Sequence, residues 1–83
     1  MRPKKIIGFT EVAQIAVDEL FAEEKIPEAL SVYIVLKESD REDTYRIHFV
    51  DRRSLIFTWR PRQDFKEAVK DAVLRQMFPG DRG

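Results

Sequence analysis

Cysteine is absent from this 83-residue chain, so neither a disulfide framework nor a cysteine-based metal cluster can form. Histidine occurs once, at His48, and a zinc site would need carboxylates for its remaining ligands, at spacings the chain does not offer. Three glycines leave little room for a phosphate cradle, and there is neither a P-loop nor a Gly-x-Gly-x-x-Gly run. No apolar run approaches the roughly 20 residues that a membrane span needs. Residues 1–9 lack the apolar stretch of a signal peptide, so a soluble cytoplasmic protein is expected. Asparagine is missing while 36% of residues are charged, the composition of a thermophilic source or of a high-GC genome.

What remains is enough for one core. Hydrophobic residues make up 43% of the chain, with six Phe, two Tyr and one Trp. A single domain over 1–83 is expected, ordered from about 10 to 78 and frayed at 1–5 and 80–83. A chain this short buries only roughly 60–65% of the surface it exposes when unfolded, so its stability margin is thin.

The hydrophobic pattern changes period twice. From Thr10 to Lys25, Val12, Ala13, Ala16, Val17, Leu20 and Phe21 fall on one stripe of a helix, with Thr10 as its N-cap and Pro27 ending it. Ile15 falls outside that stripe. From Ala29 to Arg60 the period is two, which predicts three strands. Leu30, Val32 and Ile34, then Tyr45, Ile47 and Phe49, then Leu55, Phe57 and Trp59 would point to the core. The polar connection Glu38–Asp43 predicts a loose hairpin loop, and Asp51-Arg52-Arg53-Ser54 a type I turn. From Asp64 to Phe78 the helical period returns, with Asp64 as N-cap and a stripe of Phe65, Ala68, Val69, Ala72 and Val73, with Gln76 as a further candidate at its end. Asp71 and Arg75 are spaced for an i, i+4 ion pair, and Pro79-Gly80 closes the helix. The lengths agree: a sixteen-residue helix and a strand of seven or eight residues both span about 24 Å. The predicted fold is therefore α+β, a three-stranded antiparallel meander with two helices on one face, in the order α-β-β-β-α.

Net charge is zero, yet the charges are sorted. Residues 10–28 hold six acids and one base, net −5; residues 44–66 hold six bases and two acids, net +4. Two readings stand: solvated faces that attract each other locally, or a bipolar surface for a charged partner.

Catalytic chemistry is poorly represented. His48 lies mid-strand on the face away from the helices, beside Tyr33 or Thr58 of a neighbouring strand. Ser31, Ser39 and Ser54 do not sit in nucleophile-like turns, and the carboxylate pairs Glu23/Glu24 and Asp40/Asp43 sit on surfaces. No catalytic residue, cofactor, metal or small-molecule substrate is expected.

Two surfaces do invite partners. The sheet face opposite the helices mixes Tyr33, Val35, Val50 and Ile56 with Arg46, His48, Thr58 and Arg60, a composition suited to a protein partner or a homodimer. Tyr33, Val35, Arg46, His48, Ile56 and Thr58 are the candidate contact residues. The alternative is nucleic acid, bound through Arg52, Arg53, Arg60, Arg62 and Lys66, the last beside a helix N-terminus that can receive phosphate.

The order α-β-β-β-α over about residues 10–78 resembles the double-stranded-RNA-binding domain. That resemblance implies both helices on one sheet face. The family's second helix starts with a Lys-Lys-x-Ala-Lys run, of which Phe65-Lys66-Glu67-Ala68-Val69 retains only Lys66 and Ala68. Its Gly-Pro-x-His loop is replaced here by Glu38–Asp43, with four acids and one base that phosphates would repel. The implied likeness is of fold rather than of RNA binding.

Overall fold

A computed structural model describes residues 8–38 and 43–79. It runs α1 (Phe9–Ala22), β1 (Val32–Lys37), β2 (Thr44–Phe49), β3 (Ser54–Thr58) and α2 (Phe65–Met77), the expected order. The strands form an antiparallel meander, β1-β2-β3, and the helices pack on it and on each other. The expected loop over 39–42, the fraying at 1–5 and 80–83, and the part of Gly80 in closing α2 fall outside the described residues.

The core forms where the apolar stripes meet. Leu20 and Val17 of α1, Ile47 of β2, and Val69 and Val73 of α2 are almost wholly buried, each gaining roughly 1.5–3 kcal/mol from leaving water. At one end, rings cluster around Phe65: Phe9 stacks on it at 4.5 Å between centroids, and Tyr45, Phe57 and Trp59 meet it edge-on. The apolar periodicity of α1 starts after Phe9, so this ring's place in the cluster had no signal in the pattern.

Both helix ends of α1 differ from expectation. Gly8, not Thr10, is the N-cap, and the Thr10 hydroxyl instead accepts the amide of Val35 at 3.0 Å. The helix stops at Ala22, short of Lys25 and before Pro27 can act. Glu24 N–H donates to the Phe21 carbonyl (3.0 Å) and Lys25 N–H to the Leu20 carbonyl (2.8 Å), a Schellman closure. Glu24 takes the left-handed position at φ 61°, where glycine is usual. Phe21, expected on the buried stripe, is exposed in that last turn. By contrast α2 begins as predicted: the Asp64 carboxylate accepts the amides of Lys66 and Glu67.

The decisive local feature is a β-bulge in β1. Val32 lies opposite Phe49 but Ile34 lies opposite His48, so Tyr33 is an extra residue. Side chains alternate with period two, and one added residue turns everything after it to the other face. Val35 therefore lies opposite Ile47 in the core at 9% exposure, while Ile34 and Leu36 lie on the open face, Leu36 at 47%. The expectations that Ile34 faces the helices and Val35 the open side are corrected accordingly.

The β2–β3 hairpin also turns earlier than predicted. Arg52 N–H donates to the Phe49 carbonyl and Phe49 N–H to the Arg53 carbonyl, so the turn starts at Phe49. Arg52 occupies the left-handed position, φ 79°, that three-residue hairpin loops require. Asp51 remains the organiser, since its carboxylate accepts the Arg53 amide at 3.0 Å.

Candidate interaction surfaces

The open sheet face is built from cross-strand rows. Ile34, His48 and Ser54 form one row; Leu36, Arg46 and Ile56 form the next; Thr44 and Thr58 follow. His48 thus neighbours Ile34 and Ser54 rather than Tyr33 or Thr58. The middle strand is polar, and the flanking strands carry the apolar groups. Tyr33, 70% exposed at the bulge, and Val50 extend the apolar area toward the hairpin, and Ile56 is 38% exposed. A shallow hollow of about 540 Å³ lies there, bounded by Tyr33, Ile34, Leu36, His48 and Val50.

Of the predicted contact residues, Tyr33, Arg46, His48, Ile56 and Thr58 share this face. Val35 does not, because the bulge buries it. Ile34 and Leu36 take its place. A period-two pattern carries no mark of a bulge unless glycine announces it, and β1 has none.

Arg46 is already neutralised within the face. Its guanidinium lies 3.1 Å from the Glu38 carboxylate and 3.4 Å from the Ser54 hydroxyl. The face therefore offers apolar groups with an internally balanced charge.

The five basic candidates do not gather into one patch. Arg52 and Arg53 sit at the hairpin before β3, while Arg60, Arg62 and Lys66 follow it. Five strand residues, about 16 Å, lie between the groups. Arg53 contacts Asp51 at 2.6 Å and Glu28 at 3.3 Å, Arg60 lies 3.4 Å from Asp43, and Lys66 lies 2.9 Å from Glu19. Arg52 and Arg62 are exposed.

Glu19 of α1 is held between Lys70 (2.7 Å) and Lys66 (2.9 Å) of α2. Hydrogen bonds from Lys70 and then Lys66 keep its carboxyl below the ordinary glutamate range. Acids of 10–28 and bases of 44–70 thus meet across the helix pair and, at Glu28–Arg53, beside the hairpin.

Among the described residues no helix is long and apolar enough to cross a membrane, and no cluster of His, Asp or Glu could hold a metal ion. The geometry defines a small two-layer α+β domain with one sheet face that no described element covers. Set against known families, curated proteins and solved structures, the chain has no match in any of the three. Its element order and antiparallel sheet are those expected from the double-stranded-RNA-binding fold, with no family match behind the likeness.

Proposed function

We propose that this chain is a non-enzymatic protein-interaction domain whose open sheet face packs against a second copy of itself. The observation that carries the reading is the apolar set Tyr33, Ile34, Leu36, Val50 and Ile56 on a face that no other described element covers. Two such faces pack at about 10 Å separation, burying side chains from both sheets. The Glu38–Arg46 pair matters here. A face that brings its own counter-charge can be buried against an identical one without stranding a cation.

Sedimentation velocity over micromolar concentrations tests this. The wild type is expected to dimerise, and Leu36→Glu and Ile56→Glu to remain monomeric. Ile15→Glu, on the outer surface of α1, should leave the dimer intact. A wild type that stays monomeric throughout defeats the proposal. Gel shifts with duplex RNA, duplex DNA and single strands at low salt address the nucleic-acid reading. Retardation lost in Arg60→Ala and Arg62→Ala would replace the homodimer as the leading function.

A further inference from the structure

We propose that the groove between β3 and α2 accepts an extended peptide segment of a partner protein as a fourth strand of the sheet. The site uses the backbone edge of β3, whose Ile56 and Thr58 side chains belong to the open face, and it does not depend on the homodimer.

The first support is a mismatch of widths. Two packed helices, each about 10 Å across, cover roughly 20 Å. Three strands at about 4.8 Å span only roughly 14 Å. The helix layer therefore extends past the two edges of the sheet by about 6 Å in total. On the β1 side, side chains of α1 close that overhang. Thr10 accepts the Val35 amide (3.0 Å); Gln14 accepts the Val32 amide (2.7 Å) and donates to the Leu30 carbonyl (3.0 Å). On the β3 side the overhang is a groove of about 360 Å³ between Ile56–Thr58 and the Ala68, Asp71, Ala72 and Arg75 surface of α2.

The second support is the direction of the backbone. Phe49 N–H donates to the Arg53 carbonyl and Trp59 N–H to the Asp43 carbonyl. In an antiparallel ladder the paired residues alternate, so 53, 55, 57 and 59 face β2. Ser54, Ile56 and Thr58 then turn their amides and carbonyls outward, into the groove. The Ile56 carbonyl accepts the side-chain amide of Gln76 from α2, which holds the place an incoming backbone N–H would take.

The occupant follows from these two points. A second copy pairing through β3 would bring two α2 helices above strands about 5 Å apart, closer than the 8–10 Å at which helices pack. A bare strand has no such conflict. Its side chains facing α2 would meet the small Ala68 and Ala72 among the polar Gln63, Asp71, Arg75 and Gln76, a lining that leaves room for β-branched residues, Thr foremost, at alternate positions. Asp71 and Arg75, 2.8 Å apart at the rim, neutralise each other and so set no demand on the peptide's charge.

The test uses the full chain and a phage-displayed library of random twelve-residue peptides. Selected peptides, resynthesised and measured by fluorescence anisotropy, are expected to show β-branched residues at alternate positions. Bound peptide should slow hydrogen exchange at the Ile56 and Thr58 amides and leave Val32 and Val35 unchanged. N-methylation at alternate peptide positions should weaken binding about tenfold, the loss of one or two backbone bonds, and at the intervening positions should not. Ala68→Trp, filling the groove, and Thr58→Pro, removing one outward donor at an edge position that tolerates proline, should each do the same. Two variants guard against one failing to fold. No enrichment in the selection overturns the proposal. So do peptides indifferent to either folded variant, or binding that leaves Ile56 and Thr58 exchange unaltered.

Discussion

Along β1, three hydrogen bonds from Thr10 and Gln14 meet the outward backbone of residues 30–35; along β3, the Gln76 side chain reaches the Ile56 carbonyl alone among the described residues. The two edges belong to one small sheet and lie beneath equivalent helices, yet one is sealed and the other is left with a groove. The difference comes from the bulge. An extra residue at Tyr33 turns both the Val32 and Val35 amides outward, where Thr10 and Gln14, one helical turn apart, receive them. Edge strands invite pairing with other chains, and a protein that seals one edge and not the other has restricted where such pairing can happen.

The largest expected effect is at the bulge itself. Val35→Asp places a charge opposite Ile47 in the core and should cost about 3 kcal/mol or more, whereas Leu36→Asp, compared at a concentration where the wild type is monomeric, should change stability by no more than about 0.5 kcal/mol. Urea denaturation of both variants measures this, and equal losses would mean that β1 is not bulged. Next comes the contrast between the two glutamines. Gln14→Ala strands the Val32 amide and the Leu30 carbonyl and should cost about 2 kcal/mol; Gln76→Ala should cost about 0.5 kcal/mol, because the Ile56 carbonyl can turn to water. Equal costs would erase the distinction between the edges. Native-state hydrogen exchange sharpens it: the Val32 and Val35 amides should exchange more slowly than those of Ile56 and Thr58.

Smaller effects are expected away from the edges. Glu24→Gly and Arg52→Gly each relieve a left-handed side-chain-bearing residue and should stabilise by about 0.5–1 kcal/mol, read from the urea midpoint. The acid limb of stability should carry the mark of Glu19. Its carboxyl titrates lower when folded than when unfolded, so its pairing with Lys70 and Lys66 stabilises the fold above the ordinary glutamate value of 4.5. That contribution fades as pH falls through the depressed value. Stability of Glu19→Gln should depend less steeply on pH over that window.

Much of this architecture was legible in the residues. Tyr45, Ile47, Phe49, Leu55 and Phe57 are buried as alternation predicts, because β2 and β3 pair without irregularity. Asp64 caps α2 as its position suggests, and Asp71 meets Arg75. Other features left no readable trace. Glutamate and arginine stand where glycine normally marks a helix end and a hairpin, so the ends of α1 and of the β2–β3 turn were misplaced. Thr10 looked like a cap because Ser and Thr favour caps, but its hydroxyl is taken by a strand 25 residues away. The candidate face shared this limit: five of its six expected residues are there, and Val35 is not, since a bulge depends on pairing with another strand.

Element order, helix faces and the core of β2 and β3 followed from the sequence by itself, because periodicity and capping act within a few residues. The register of β1, the capping of its edge by α1, the self-paired charge of the open face and the groove beside β3 were decided by the tertiary structure. Each depends on groups far apart in the chain, and local patterns hold no information about which of them will meet.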